Sequence, residues 1–241
     1  MRVGPNIAAI AALLADPARA AMLAALADGR AMPAGELASR AGLSAPGASF
    51  HLGKLVAGGL IAVEREGRHR YYRLARGEVA AALEGLAALA GPLRPTGRTA
   101  SAATAALRRA RSCYDHLAGE LGVAVADALD RRGLLAAADG KALRVTPAGR
   151  VWFAAALGID VAALRPGRHG VACRCLDWTE RRHHLAGPLG ATLFRRCCDL
   201  GWIERMADTR AVRVTPRGQD ALRRALGIRL AAQPAGRVMQ P

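Results

Sequence analysis

Aromatic side chains make up only 4% of this 241-residue chain, with three each of Trp, Tyr and Phe. An aromatic-rich β core is therefore not expected. A chain that is 52% apolar and dominated by Ala, Leu and Gly suggests helices packed on small side chains. No apolar run is long enough to span a bilayer, so no membrane partner is expected. The stretch MRVGPNIAAIAALLADPARAA is broken by Asp16-Pro17 and lacks a charged leader and a cleavage pattern, so no signal peptide is read and the location expected is cytoplasmic. Lysine is nearly missing, at two positions (Lys54, Lys141), and acid is scarce. The 35 Lys plus Arg stand against 19 Asp plus Glu, a net charge of +16. Such a balance favours a polyanionic partner, nucleic acid first. Positions 1–90 carry 10 basic and 7 acidic residues, so +13 of the excess falls later and charge alone does not place the binding surface.

Cysteine is absent from the first 112 positions. The five that follow, Cys113, Cys173, Cys175, Cys197 and Cys198, are odd in number. With no export signal, this argues against a disulfide framework and leaves thiol or metal chemistry to the second half. Also missing are a glycine-rich phosphate loop, an H-E-x-x-H and a nucleophile elbow. Cys113 with His116 is the one conceivable nucleophile–base pair, and nothing visible orients it. No enzyme activity and no catalytic residue are expected.

The first ninety residues are well punctuated. Ile7, Ile10 and Leu14 give a helix with a narrow apolar stripe. Asp16-Pro17 supplies an N-cap and an N1 proline for a second helix through Leu26. AGELASRA (34–41) is a short third helix, and Gly42-Leu43 turns it into SAPGASFHLGKL (44–55), capped by Ser44. Pro46, Gly47 and Gly53 make this fourth helix intrinsically weak, yet Ala48, Leu52, Leu55 and Val56 keep a helical apolar stripe. Gly58-Gly59 ends it. LIAVE (60–64) and RYYRL (70–74) alternate as strands around a turn at 65–69, and a further helix follows at 77–90. That order is a winged helix-turn-helix. It explains the weak helix: small outer residues Gly47, Ala48 and Ser49 let its N-terminal end approach base edges in the major groove. Arg65, Arg68 and Arg70 on the hairpin suit phosphates or the minor groove. The DNA-contacting candidates are Ser44, Gly47, Ser49, His51, Lys54, Arg65, Arg68 and His69. On the plainer alternative, Ser44 merely caps, His51 packs at the helix edge and the arginines form a solvated face.

GPLRPTGRTA (91–100) reads as a linker, and beyond it the chain repeats itself. His116-Leu117-Ala118-Gly119 returns as His184-Leu185-Ala186-Gly187, and Arg144-Val145-Thr146-Pro147 returns as Arg213-Val214-Thr215-Pro216. Each copy reads as a helix ending at glycine, a hairpin, and a helix opened by Thr-Pro and closed by Gly-Ile. For sensing, Cys113, His116, Cys173, Cys175 and His184 are the candidate ligands. Cys113 and His116 are spaced to share one face if helical, and the two repeated histidines are placed to meet across a pseudo-twofold axis. Zinc, copper(I) or trivalent arsenic would suit them. The alternative is that HLAG is a duplicated helix-start motif and the cysteines are small buried hydrophobes. Trp152 and Trp202 read as core anchors.

The segments ADPARAAML, ELASRAGLSAPGASFHLGKLVAGGLI and VEREGRHRYYRL resemble the ArsR/SmtB family of bacterial winged-helix repressors, in the subgroup reading Ala-Pro-x-x-Ser-Phe-His-Leu. The later text, including CYDHLAGELG and CLDWTERRHHLAG, is similar to long members with an added C-terminal domain. The resemblance implies a homodimer joined through the first helix and the helix at 78–90, with two recognition helices in successive major grooves of an inverted repeat. It departs at Gly53, where lysine is common. The family's two metal positions are also empty: ELASRAGL has no cysteine ligand, and the helix at 78–90 offers Glu78 and Glu84 but no histidine.

The expected fold class is mainly α with small β-hairpins (α+β). A winged helix-turn-helix domain for DNA binding and dimerisation would span 1–92. An effector-sensing domain at 93–230 would hold two winged-helix-like repeats (116–159 and 184–228), followed by a disordered tail at 231–241. The expected function is a sequence-specific transcriptional regulator, a homodimeric repressor on double-stranded operator DNA. Its effector, a metal or thiol event or a small organic molecule, would act in the C-terminal domain, and no cofactor is required for the fold. The alternative is a non-specific architectural DNA-binding protein.

Overall fold

The computed structural model describes residues 5–67, 69–90, 98–206 and 209–230. Arg68, the linker positions 91–97 and the expected tail at 231–241 lie outside the described residues. The N-terminal part runs α1 (Ile7–Leu14), α2 (Pro17–Leu26), β1 (Met32–Pro33), α3 (Ala34–Arg40), α4 (Ala45–Ala57), β2 (Ile61–Glu66), β3 (His69–Leu74) and α5 (Gly77–Ala90). The Asp16 carboxylate accepts the Arg19 N–H at 2.9 Å to cap α2, and Ser44 Oγ accepts the Gly47 N–H at 3.4 Å to cap α4. Each such cap contributes about 1 kcal/mol. The strands form an antiparallel sheet in the order β1-β3-β2. Met22, Leu23, Leu26, Leu37, Leu52, Leu55 and Leu74 meet in one core beneath it.

Three details differ from the sequence reading. Ala48 is 1% exposed and packs inward with Leu52 and Leu55, while Val56, at the edge of that stripe, is 36% exposed. The wing turn is tighter than 65–69, because β2 continues through Glu66 and β3 starts at His69, with Gly67 at φ 58°. The strand β1 has only two residues, too few for any alternation to register.

The remainder contains α6 (Arg98–Arg109), β4 (Arg111–Cys113), β5 (His116–Ala118), α7 (Gly119–Arg131), β6 (Leu135–Ala137), β7 (Ala142–Val145), α8 (Pro147–Leu157), β8 (Ala172–Leu176), β9 (His183–Ala186), α9 (Gly187–Asp199), β10 (Ile203–Arg205), β11 (Val212–Val214) and α10 (Pro216–Leu226). Helix α6 begins inside the stretch read as linker; its Ala, Ser and Thr residues carry no large apolar stripe to announce it. Thr146 and Thr215 cap α8 and α10 ahead of N1 prolines, and Gly158 and Gly227 close them in the left-handed region. Strand pairing is not symmetric: β6-β7-β8-β9 form a four-stranded sheet, whereas β10-β11 stand as a pair. Leu121, Leu129, Phe153, Leu189, Phe194, Trp202 and Leu222 belong to one shared core, with Trp152 packed against it.

The equivalent stretches at 116–131 and 184–199 clasp through glycine. A Cβ on Gly122 would stand 2.5 Å from the Leu117 carbonyl oxygen and one on Gly190 2.6 Å from that of Leu185; across the pair they would meet the Cβ of His184 at 3.5 Å and of His116 at 3.4 Å. A methyl group at either place overpacks a backbone contact. Gly53, by contrast, faces open space in mid-helix.

Gly122→Ala and Gly190→Ala are each expected to lower unfolding free energy by about 1–3 kcal/mol, measured by urea denaturation. Gly53→Ala is expected to raise it by about 0.5–1 kcal/mol.

Candidate nucleic-acid interface and Cys/His centre

Helix α4 is held from behind by Ala48, Leu52 and Leu55, so its front is free of packing duties. Ser44, Ser49, Phe50, Gly53 and Lys54 are exposed there, and Gly47 is half-buried at the start. Ser49 Oγ donates to the Ala45 carbonyl at 3.0 Å, which leaves its lone pairs outward. Lys54 Nζ lies 4.3 Å from the centre of the Phe50 ring, itself 59% exposed. An exposed aromatic held by a cation at i+4 is a suitable surface for a thymine methyl beside a phosphate. The sequence reading did not count Phe50 among the contacting residues; its position off the buried stripe was the available signal. His51 does not join this row. Its ring turns back toward α2, with Nδ1 3.5 Å from the Asp16 carboxylate.

On the wing, Arg65 pairs directly with Arg70 and Glu66 with His69 across β2 and β3, all exposed. Like charges in a cross-strand pair repel, and a phosphate between them would relieve that. Glu64 pairs with Arg73 further from the tip, whereas Arg65 and Arg70 stand nearer the wing's end.

The second cluster is buried. Cys113 closes β4, His116 opens β5, and the two face each other across a two-residue turn, Tyr114-Asp115. They share a site through strand pairing, not through the helical spacing expected. Cys175 on β8 pairs with His184 on β9, and the two hairpins meet. Cys113 Sγ lies 3.9 Å from Cys175 Sγ, and His116 Nε2 lies 3.2 Å from His184 Nε2. One ligand atom from each of these four residues lies within 4.8 Å of all the others. Cys173 is not in this group. It sits two positions back along β8, paired with Ala186, and its sulfur lies near Gly187. Cys197 is a core residue whose thiol burial pushes up to about 12, and Cys198 beside it is half-buried.

Carboxylates stand behind both imidazoles. Asp115 Oδ1 is 3.0 Å from His116 Nδ1, and Asp177 Oδ2 is 3.4 Å from His184 Nδ1. Asp177 is fully buried. It accepts from the backbone N–H of Gly119 at 2.7 Å, capping α7 from the other copy, and from the Thr179 hydroxyl at 2.6 Å. The buried guanidinium of Arg111 lies 3.1 Å away. Burial alone would raise the Asp177 carboxyl, but His184, Arg111, Thr179 and Gly119 together hold it well below the usual range. Cys175 is drawn down to about 2 by the Cys113 thiol, against burial, with help from His116 and His184. Cys113 moves the opposite way, through that same contact and through burial. Burial opposes charge on His116, yet Asp115 and Cys175 raise it to about 9. The centre thus gathers two sulfurs and two imidazole nitrogens, a donor set suited to borderline and soft cations.

The family positions for metal do not fit. Glu84 is 5% exposed and is engaged by Arg210 at 2.7 Å, with Arg111 4.0 Å away. Two clefts of about 210 Å³ and 230 Å³ open on the second half, the first lined by Arg195, Arg196 and Arg205 and the second by Asp127, Asp130, Arg174 and His183. Both are smaller and more polar than an ordinary organic-ligand pocket.

Among the described residues no single helix is long and apolar enough to cross a membrane; α1 and α2 would qualify only as a pair, bent by 91°. Residues 14–64 match a helix-turn-helix domain family model. The chain is 44% identical over 228 residues to YdfF, described as an uncharacterized HTH-type transcriptional regulator of Bacillus subtilis (strain 168), covering 95% of this chain and 100% of that one. Among solved structures, HlyU from Vibrio cholerae is 32% identical over 34% of this chain and 89% of its own, with a TM-score of 0.32. The cadmium metal-sensor CMTR from Mycobacterium tuberculosis is 35% identical over 38% of this chain and 94% of its own, with a TM-score of 0.31. A capped helix-turn-helix with a wing and a relative matched end to end agree: the chain belongs to the HTH-type transcriptional regulators, and its N-terminal part is a winged helix-turn-helix.

Proposed function

We propose that this regulator is a cytoplasmic homodimeric repressor that reads an inverted-repeat operator with α4 and braces on phosphates with its wing. The observation that carries the reading is the bare front of α4, where Ser44, Ser49, Phe50 and Lys54 are exposed while the opposite stripe is fully packed. Dimerisation is supported by apolar side chains left in solvent on the two helices expected to join protomers. Ile7 is 71% and Ile10 40% exposed on α1, and Leu86 46% and Leu89 84% on α5. Isolated apolar residues on a surface are ordinary, but four on the same two helices suggest a covered face. A twofold pair of heads would read two half-sites about one helical turn apart. The Cys/His centre is the favoured effector site, and its occupant would act by preferring one spacing of the two heads over another. No catalytic role is assigned to it.

The alternative, architectural binding without sequence preference, is motivated by the +13 excess beyond residue 90. Footprinting on the DNA upstream of the protein's own coding region separates the two. A protected inverted repeat is expected, whereas salt-steep binding of every duplex alike would overturn the operator reading. Arg65→Ala is expected to weaken binding to all duplexes alike and to lower the slope of log affinity against log salt by about one. Replacing Ile7 and Leu89 together by Asp is expected to give monomers in sedimentation and to cost at least about tenfold in operator affinity.

A further inference from the structure

The Cys/His centre has a neighbour whose position suggests how it is read. Between the ligand candidates Cys113 and His116 lies Tyr114, held at φ 57° at the tip of the hairpin. Its backbone N–H donates to the Ala27 carbonyl at 2.8 Å, just past the end of α2, and its ring packs against the core of the DNA-binding head. It also stands close to Gly29, where a Cβ would come 3.1 Å from the Tyr114 carbonyl oxygen. The same hairpin carries Arg111, 4.0 Å from Glu84 of α5. Residues adjacent in sequence thus line the buried centre and touch both α2 and α5.

We propose that Cys113, His116, Cys175 and His184 bind one zinc ion, and that loading this site resets the Tyr114 hairpin against the DNA-binding head and so changes operator affinity. The regulatory half rests on the repressor reading above; the binding half does not.

Two of the six ligand–ligand edges match a zinc tetrahedron. In a regular tetrahedron the ligand–ligand edge is about 1.6 times the bond length. Bonds of about 2.3 Å to sulfur and about 2.0 Å to nitrogen then place two sulfurs about 3.8 Å apart and two nitrogens about 3.3 Å apart. The observed separations are 3.9 Å for Cys113 and Cys175 and 3.2 Å for His116 and His184. Two imidazole nitrogens face each other at hydrogen-bond distance, and a cation accepting both lone pairs satisfies them together. Asp115 and Asp177 stand at the far nitrogens, as the carboxylates behind metal-bound histidines do. A cleft lined by Asp130 and His183 also borders His184. Copper(I) favours fewer ligands, and a trivalent arsenic species would use three sulfurs where only two converge.

The test uses the full chain, purified under reducing conditions and titrated with zinc chloride against a chromophoric chelator. One zinc per chain is expected. Cobalt(II) in its place should give the intense visible band of a tetrahedral thiolate site. Cys113→Ser and Cys175→Ser should each weaken zinc at least about a hundredfold, the upper end of the loss usual for metal-site shell changes, while Cys198→Ser binds as the parent does. Because a ligand variant could unfold, Tyr114→Gly supplies a second arm: glycine accepts the positive φ and removes the ring from the head. It should keep its zinc while the parent's change in operator affinity on zinc loading, expected at about fivefold or more, falls below twofold. No stoichiometric zinc in the parent, undiminished zinc in both serine variants, or a Cys113–Cys175 disulfide as the only response of the site would overturn the metal assignment. A zinc effect unchanged in Tyr114→Gly would overturn the coupling. Zinc bound normally by a protein that shows no operator preference would sink the repressor reading and leave the site standing.

Discussion

Two backbone approaches, at Gly122 and Gly190, decide how near each helix can start to its own strand beneath the paired histidines. Each glycine lets its own helix start press on the preceding strand, with a Cβ position only 2.5–2.6 Å from a carbonyl oxygen. Each also lies under the histidine of the opposite copy. A side chain there would push α7 off β5 or α9 off β9, and would meet the opposite histidine at ordinary contact distance. The buried polar network then follows from that closeness. Asp177 reaches across to the first N–H of α7 because the strands are already adjacent, and Arg111 is buried where Asp177 and the Trp178 ring can compensate it.

The head obeys the opposite logic. Its α4 contains Pro46, Gly47 and Gly53, each unfavourable to an isolated helix, and survives because its inner stripe is locked in the core. The small residues Ser44, Gly47 and Ser49 at its N-terminal end are what allow a close approach to another surface there. Tertiary packing supplies the order, and local propensity is sacrificed where contact is needed.

Much of this was legible in the residues. Asp16-Pro17, Ser44 and Thr-Pro at 146–147 and 215–216 are caps with a direct physical signature, and the helices they open lie where they point. The repeated HLAG placed two histidines in equivalent positions, and the structure brings them together. What could not be read was pairing at a distance. Nothing local announces that Cys113 and His116 face each other across a hairpin, nor that Cys175 joins them from 62 residues away while Cys173, two residues back along the same strand, does not. Short strands of three residues carry too little alternation to declare themselves, and α6 is built from residues too small to mark a face.

The duplication copied the imidazoles but not the thiols. The position matching Cys113 is Arg181 and the one matching Cys175 is Leu107, and the place of Tyr114 is taken by Arg182, which turns to Asp127 on α7 of the other copy. A mirror-like centre would press on both of its flanks equally. This one has been made lopsided, with a docking tip on a single side, so whatever tightens or relaxes it has only one direction in which to be felt.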